Sequence, residues 1–378
     1  WNGKTKIVRF EKPRFEMFGL PIAFLPAFEI PDPTVKRKSG FLFPGVSYKS
    51  ELGYGLSIPY YFALSPTYDL TVTGTGLSRQ GFLGEAEWRQ RFESGQYTLK
   101  MAGIYQSDPA AFNVNTVDRG TDIDPNRFRG MVGSKGDFAL NSRWNFGWDV
   151  MAQTDKNFSY TYDIDGFSDY VIRNEVYLTG LNDRNYFDLR AMKFDVQEDV
   201  FDGRDEKQAW ALPSFDYSYT PDEPIAGGEL NIDVNSRVIS RDEQDVTLTT
   251  PVVRGTDGLN SRVTAEAEWR RSVVTGGGLV VTPSLHVQGD ALYADIASAS
   301  QASIDAMAAQ LNVEADVRSA LYRYMATAGL DVRWPVLFST TSSTHVLEPV
   351  AQIFARPDEP YSDELTVLNE DAQSFVFD

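Results

Sequence analysis

The chain has 378 residues, a formal net charge of −18 and an aromatic content of 13%. The acidic balance, with "KRK" at 36–38 as the one basic block that stands out, disfavours nucleic acid as a partner, because phosphate binding needs a concentrated basic surface. No run approaches the roughly 18 consecutive apolar residues of a spanning helix, whereas a membrane β-barrel needs apolar residues only at every second position.

The run "LGYGLSIPYYF" at 52–62 is the first clear strand. Apolar or aromatic residues occupy alternate positions from Leu52 to Phe62, and small or polar residues lie between them. A period of two predicts a strand with one apolar face. Pro59 interrupts the run with a residue that cannot donate to a ladder, and prolines in strands are confined to edges and bulges. The sequence therefore predicts a long strand with a local weak point.

The same alternation recurs along the chain. It is clear in "TYDLTVT" (67–73), "GEAEWRQRFE" (84–93), "ELNIDVNSRVIS" (229–240) and "VTAEAEW" (263–269). Several runs reach the roughly 9 to 11 residues of a membrane-spanning strand, longer than the average globular strand. We expect about 14 or 15 strands between residue 40 and the end of the chain, with boundaries good to a few residues.

The connections alternate in length. Short turns are predicted at 64–67, 134–137, 181–185, 221–228, 274–278 and 338–344. Longer polar stretches lie near 107–125, 155–169, 197–207, 241–258, 295–319 and 356–371. Outer-membrane barrels sort their connections in this way, with short turns at one end and longer loops at the other. A soluble sandwich has no reason to sort its loops by parity.

One segment departs from the β pattern. Residues 298–325 are rich in alanine, and Ile304, Met307, Ala308 and Leu311 recur at helical spacing. We expect a short surface helix on one of the long loops.

Residues for catalysis or metal binding are sparse. The chain has no cysteine and two histidines, His286 and His345, each within a strand-like run, and no nucleophile, phosphate-loop or zinc motif is present. "YDIDGFSD" places Asp163, Asp165 and Asp169 in a loop, but the later glutamate of a calcium-binding EF-hand loop is missing. We expect no enzyme activity, no metal and no cofactor.

Alternating charges mark the polar faces of two strands. They could support acid–base chemistry, but the polar wall of a barrel lumen is the simpler explanation. The predicted lumen-facing residues are Glu85, Glu87, Arg89, Arg91, Glu266, Glu268 and Arg270.

The order of several motifs resembles the LptD family, the lipopolysaccharide-assembly proteins of the Gram-negative outer membrane. The resemblance is carried by "FGLPIAFLPAFEIPDPTVKRKSGFLFPGVSYKSELGYGLSIPYYFALSPTYDLTVT" and by "SRQG", "EWRQRFE", "GQYTLK", "LEPVAQ" and "NEDAQSF". It runs along essentially the whole chain and is densest in 14–107 and 345–378. Because the chain opens at Trp1 in mid-pattern and closes on "QSFVFD", we expect both ends to continue in a longer protein.

The resemblance implies a fold and a set of partners. Residues 1–38 would be the end of a periplasmic β-jellyroll and its hinge, and residues 39–378 the N-terminal part of an antiparallel 26-strand outer-membrane barrel. The partners implied are lipopolysaccharide, an LptE-like lipoprotein plugging the lumen, an LptA-like periplasmic bridge and the lipid bilayer. Lipopolysaccharide would leave through a lateral gate at weakened first strands.

The resemblance also implies which residues weaken that gate. Pro44 and Pro59 match family prolines in the early strands, whereas the next family proline falls on Gly74, so the second strand is less clearly weakened. The candidate gate residues are Pro44, Gly53, Gly55, Pro59, Pro66 and Gly74, with Gly76 adding to the softness. A simple bulge or strand end at Pro59 is the alternative.

Two other functions remain open at this stage. A passive porin or receptor barrel would share the strand pattern, and so would a soluble carbohydrate-binding β protein in its shorter runs. The acidity also poses a problem, since lipopolysaccharide is anionic and would need divalent cations or arginines such as Arg89, Arg91, Arg143 or Arg270.

Overall fold

The described part of the computed structural model is almost entirely antiparallel β, which confirms the all-β class. It comprises residues 7–12, 14–17, 20–24, 27–31, 37–113, 127–197, 207–247, 252–312 and 319–358. The chain divides into two compact units. Unit 1 holds Trp1–Ala139, Gly147–Asn174 and Asp195–Asp202, and unit 2 holds Leu140–Phe146, Glu175–Phe194 and Gly203–Asp378.

Four short strands open the chain as a pair of nested hairpins. Strand β1 (Ile7–Glu11) pairs with β4 (Ala27–Pro31), and β2 (Arg14–Met17) pairs with β3 (Leu20–Phe24), all antiparallel. They form two-stranded sheets of their own.

Seven antiparallel strands form the sheet of unit 1. They are β5 (Gly40–Phe41), β6 (Gly45–Lys49), β7 (Gly53–Phe62), β8 (Tyr68–Leu77), β9 (Gly81–Arg91), β10 (Gly95–Tyr105) and β11 (Phe128–Ala139). Strand β5 pairs with β7, and the others pair with their neighbours in sequence. Their registers are continuous from β7 through β8, β9 and β10 to β11.

The chain continues through strands of 10 to 17 residues and several shorter ones. They are β12 (Trp144–Gln153), β13 (Val171–Asn182), β14 (Asn185–Val196), β15 (Trp210–Tyr219), β16 (Glu229–Arg241), β17 (Asp245–Thr247), β18 (Val252–Gly255), β19 (Gly258–Arg270), β20 (Val273–Val274), β21 (Val280–Ile296), β22 (Ala320–Arg333), β23 (Val336–Ser339), β24 (Thr344–Leu347) and β25 (Val350–Ala355). In unit 2, β14, β15, β16, β19, β21, β22 and β25 pair in that order.

The described helices are short. A 3-10 helix spans Pro109–Asn113, α1 spans Phe158–Thr161 and α2 spans Ser298–Leu311. Helix α2 confirms the predicted surface helix, although the end of that segment belongs to β22. No helix in these ranges is long and apolar enough to cross a membrane.

From residue 92 to residue 319, the alternation of connection lengths agrees with the strand boundaries except at the turn predicted for 134–137. Short connections join β9 to β10, β13 to β14 and β15 to β16, and longer ones follow β10, β12 and β14. On the long-loop side of unit 1, however, the first connections are tight turns at 50–52 and 78–80. The first strands therefore lack long loops at either end.

The turn predicted at "SKGD" (134–137) is wrong, because these residues lie inside β11. Lys135 forms an ion pair with Asp149 on the neighbouring strand at 3.0 Å. A Cβ at Gly136 would collide with the ring of Trp148. Within the strand, Lys135 thus serves a cross-strand ion pair, and Gly136 leaves room for the indole ring of Trp148. The turn itself follows at 140–143.

The two faces of the unit 1 sheet differ in character. One carries apolar side chains that stay exposed, including Tyr54 at 56%, Phe82 at 66% and Tyr105 at 65% relative exposure. The alternate residues form the polar face, with Thr71, Thr73, Glu85, Glu87 and Lys100. A soluble two-layer sheet buries its apolar face. The exposure of this face argues against such a sandwich.

A loop packs onto one end of the polar face. In this folded loop (residues 154–170), Phe158, Tyr162, Ile164 and Phe167 are buried in a cluster with strand residues. The strand side of the cluster consists of Leu52, Leu77, Leu83, Ala102, Ile104 and Met131. The residues of this face that lie beneath the loop are thus apolar, and those nearer the short turns are charged.

Polar side chains fix the folded loop. Gln197 accepts from the Ser159 hydroxyl at 2.8 Å and from the Tyr160 amide at 3.0 Å, and it donates to the carbonyl oxygens of Phe167 and Asp169. Arg129 donates two hydrogen bonds to Asp155, each 2.7 Å long. Buried polar groups that are fully bonded in this way rigidify a segment.

Acid should release the folded loop through Asp155. Burial by itself raises the pKa of Asp155, but the hydrogen bonds and charge of Arg129 outweigh burial and leave the pKa below its ordinary value. A lowered folded-state pKa gives stability that is complete above the unfolded value of about 3.9 and is lost as the pH falls through the folded value. A nitroxide at Asp165 should therefore become mobile below about pH 3.9 in EPR spectra.

The Asp155→Asn variant is the control for this acid step. It keeps a hydrogen-bond acceptor for Arg129 but cannot titrate, so its spectrum should show no such step. An acid step of equal size in this variant would contradict the assignment to Asp155.

Candidate functional site

The pairing of the first strands contains a β-bulge. Gly40 and Phe41 pair with Tyr61 and Tyr60, and the next registered pair joins Gly45 to Ser57. Three residues, 42–44, therefore face only two, 58–59. A bulge leaves its extra residue unpaired and bends its strand.

Pro59 faces this bulge. The Leu42 amide donates to the Pro59 carbonyl oxygen at 2.9 Å. Because the N–H and C=O of one strand residue point to the same neighbour, the donor that proline lacks is missing on the bulge side. On the other side the β7–β8 register runs unbroken through Pro59 and Thr73. The weakening is thus confined to the β6 side of β7, and the bulge lies in the neighbouring segment rather than at Pro59.

The other candidate gate prolines lie outside strands. Pro44 ends the bulge just before β6 and carries no backbone N–H. Pro66 was predicted to weaken a strand, but it lies in the turn between β7 and β8. It therefore removes no donor from the ladder. From the sequence alone, Pro66 in the turn at 63–67 was not distinguished from Pro59, which lies inside β7 seven residues earlier.

The glycines serve different purposes. Gly53 has φ +74°, in the left-handed region, and a Cβ there would collide with the Ser78 hydroxyl. Gly55 leaves space for the Ser47 and Leu77 side chains. The ring of Phe82 covers Gly74, 2.8 Å from where a Cβ would be, so an aromatic side chain fills the space that glycine leaves. Nothing lies within 4 Å of the corresponding position at Gly76.

An alternating ion network crosses the polar face of unit 1. Lys100 lies 3.2 Å from Glu85 and 3.6 Å from Glu87, and Glu87 lies 3.5 Å from Arg89. Arg89 in turn donates to Asp69 at 2.8 Å. The Lys100 side chain is only 8% exposed, and the two carboxylates compensate its charge within this buried site. The structure thus brings together three of the predicted polar residues.

A pocket of about 550 Å³ lies over this network. Its wall includes Leu42 from the bulge, Tyr61 and the hydroxyls of Thr71 and Thr73. Asp163 and Asp165 of the folded loop also line it. The pocket is a polar space beside the weakened pairing of β6 with β7, and its chemistry suits water and hydroxyl groups rather than acyl chains.

Unit 2 has its own polar face. Glu266, Glu268 and Arg270 occupy alternate positions of β19, and Glu268 is registered opposite His286. Arg270 lies 3.3 Å from Glu229, which also pairs with Arg184 at 3.0 Å. These residues lie on one side of their strand, as the alternation predicts.

Sequence reasoning missed a buried charge of this face. Asp290 on β21 pairs with Arg262 at 3.3 Å and with Arg323 at 2.8 Å, and all three come from different strands. The signal was available as alternation in "SLHVQGDALYADI", but the partners are set by register, which one sequence does not reveal.

The four arginines considered for lipopolysaccharide phosphates differ in availability. Arg89 and Arg270 already hold carboxylates on their polar faces. Arg91 ends β9 and Arg143 lies in the 140–143 turn, and both side chains are exposed. The paired arginines neutralise the chain's own carboxylates.

Asp163, Asp165 and Asp169 do not assemble a cation site. Asp163 and Asp165 are exposed, and the Asp169 backbone carbonyl accepts from Gln197. In the described ranges, no group of three or more acidic or histidine side chains is placed to hold a metal ion.

Comparison with known proteins gives one family. A family model described as LPS transport system D, LptD, matches residues 127–378. The "LPS-assembly protein LptD" of Vibrio vulnificus (strain YJ016) is 28% identical over 242 residues, which cover 62% of this chain and 28% of that protein. The protein of the same name from Photobacterium profundum is 36% identical over 113 residues, covering 30% of this chain and 14% of that protein.

The matches cover the relatives only in part. The LPS-assembly protein LptD of Shewanella frigidimarina (strain NCIMB 400) is 28% identical over 221 residues, or 58% of this chain and 25% of that protein. The chain therefore spans less than a third of the length of these relatives. The family match includes 345–378, whereas the quoted segment 14–107 precedes it.

Removal of Lys100 should destabilise the sheet strongly. Lys100→Met leaves the mostly buried Glu85 without its cation and Glu87 with Arg89 alone, which costs about 3–5 kcal/mol. The control is Lys135→Met, which breaks an ion pair whose side chains are 44% and 38% exposed and should cost about 1 kcal/mol or less. Urea unfolding in detergent micelles measures both, and equal losses would contradict the dependence on burial.

Glycine is required at 53 but not at 76. Gly53→Ala should cost about 1–3 kcal/mol, because alanine is strained at positive φ and its Cβ meets Ser78. Gly76→Ala adds a methyl group in open space and should change the free energy of unfolding by less than about 1 kcal/mol. The loss of folded gel mobility on heating ranks the two variants, and a larger loss for Gly76→Ala would contradict this account.

Proposed function

The chain belongs to the LptD family, and on that premise we propose that it is part of an outer-membrane component that inserts lipopolysaccharide into the outer leaflet. The lipid leaves through a lateral gate beside β6 and β7. The observation that carries this proposal is the bulge at 42–44 opposite Pro59, where the proline lacks the donor that would face β6.

The energetics favour opening at this stretch. A ladder hydrogen bond contributes only about 0.5–1.5 kcal/mol net in water, but a polar backbone group left unpaired in lipid costs several kcal/mol. Proline has no N–H to leave unpaired, so separation of β6 from β7 exposes fewer donors than separation elsewhere. The β7–β8 ladder keeps its full register and resists opening.

The two sheet faces suit the two halves of a lipopolysaccharide molecule. The exposed apolar face, with Tyr54 and Phe82, fits contact with lipid acyl chains. The opposite face, with its ion network and pocket, fits a hydrated lumen through which sugars pass. On this proposal, Glu85, Glu87, Arg89 and Arg91 line the lumen, as do the polar residues of β19.

The remaining assignments follow from the family. We assign residues 1–38 to the end of a periplasmic jellyroll and its hinge, and residues 39–378 to the N-terminal part of the barrel. An LptE-like lipoprotein would occupy the lumen, and an LptA-like bridge would deliver lipopolysaccharide from the periplasm. The protein acts in transport, and no catalytic step is involved.

Restoring the missing donor should slow delivery. Pro59→Ala supplies an N–H on the β6 side, and one added ladder hydrogen bond of about 0.5–1.5 kcal/mol corresponds to roughly a two- to tenfold slower opening. Delivery is measured as the appearance of newly made lipopolysaccharide at the cell surface in cells that depend on the full-length variant.

Pro66→Ala is the matched control, because it also replaces a proline but lies in the β7–β8 turn. It should deliver at the unaltered rate. If Pro59→Ala delivered as fast as the unaltered protein, the gate proposal would fail. A passive porin or receptor barrel would show no dependence of lipopolysaccharide delivery on either residue.

A further inference from the structure

Arg37 holds the chain that enters the sheet. It belongs to the leading segment (residues 37–42), which precedes β6. Its Nε donates to the Tyr61 hydroxyl at 3.0 Å, and its terminal nitrogens donate to Asp69 and to the Tyr68 carbonyl, each at 2.8 Å, and to the Pro66 carbonyl. All four acceptors lie on the β7–β8 hairpin.

The guanidinium group suits this task in a way that an ammonium group does not. Its planar fork reaches several acceptors at once, whereas lysine offers a point charge on a flexible stem. The acceptor Asp69 is mostly buried and also receives the Tyr61 hydroxyl and Arg89. The contact is therefore part of a bonded network rather than an isolated surface pair, which would contribute little.

The rest of the leading segment follows the same hairpin strand. The Ser39 hydroxyl accepts from the Ala63 amide at 2.9 Å, Gly40 and Phe41 pair with Tyr61 and Tyr60, and the Leu42 amide donates to Pro59. The Phe41 and Tyr60 rings meet edge to face at 4.9 Å. These contacts run along 59–63 and end at the bulge.

Strand β6, beyond the bulge, is attached differently. It pairs with β7 over Gly45–Lys49, and its side chains are exposed along its whole length. Lys49 at its far end donates to the Thr161 carbonyl of the folded loop at 3.1 Å. The leading segment and β6 are thus neighbours in sequence but are held by separate sets of contacts.

We propose that Arg37 is a positioning residue that clamps the leading segment onto the β7–β8 hairpin and makes the bulge at 42–44 a hinge. Strand β6 can then separate from β7 while the segment that precedes it stays fixed. The importance of Arg37 for lipopolysaccharide delivery rests on the proposed function. The clamp and the hinge are properties of the sheet, and they are tested without lipopolysaccharide.

Hydrogen exchange on the full-length protein, in complex with its partner lipoprotein, tests the clamp. Arg37→Gln should raise the exchange rate of amides 40–42 about tenfold or more, the effect of losing one charge-assisted network contact. Amides 45–49 should keep their rates, because the hinge isolates them. Arg37→Lys retains charge but not the fork and should give an intermediate rate.

Arg89→Gln is the matched control. It removes a cation from the same Asp69 carboxylate but touches no residue of the leading segment, so amides 40–42 should exchange as in the unaltered protein. Unchanged exchange in Arg37→Gln would overturn the proposal, and so would an equal rise in Arg89→Gln or an equal rise at 45–49. Heat-dependent gel mobility verifies that each variant is folded, and the Pro59→Ala delivery assay decides the proposed function separately.

Discussion

The structure depends on the pairing of backbone N–H and C=O groups between neighbouring antiparallel strands. In an apolar environment each group that loses its partner costs several kcal/mol, so a sheet surrounded by lipid has little freedom to open. Here the constraint is relaxed at one stretch of the first strands, by a bulge and by prolines that carry no donor. The neighbouring ladder from β7 to β11 keeps its register, so the relaxation remains local.

Electrostatics adds a second level of order. The chain carries a formal net charge of −18, but the strand-face carboxylates are largely matched with arginine and lysine across strands. Asp69 between Arg37 and Arg89, and Asp290 between Arg262 and Arg323, follow the same scheme of one buried carboxylate held by two guanidinium groups. Desolvation offsets much of the attraction within such networks, so breaking one partner costs more than the intact network adds to stability.

The alternation in the sequence was sufficient to predict several long strands, their polar faces and helix α2, because a period of two and a period of 3.6 are local properties. The described residues from 40 onward hold 21 strands rather than the 14 or 15 expected, because short strands such as β17, β18, β23 and β24 are too brief to show a period. The alternation failed where the role of a residue depends on a residue that is distant in sequence but adjacent in the fold. "SKGD" resembles a turn until Trp148 is placed above Gly136, and Pro59 is ambiguous until Leu42 shows which side its carbonyl faces. The clamp of Arg37 on Asp69 joins residues 32 positions apart, a pairing that no local pattern indicates.

Strand β21 gives the wall of unit 2 an unusual height. Its 17 residues extend about 56 Å at roughly 3.3 Å per residue, and a tilt of about 45° still leaves a rise of about 40 Å. An apolar band of about 25 Å accounts for little more than half of that rise. In the proposed membrane the remainder is a hydrogen-bonded extension of the wall standing in water, and helix α2 follows directly after the end of this strand.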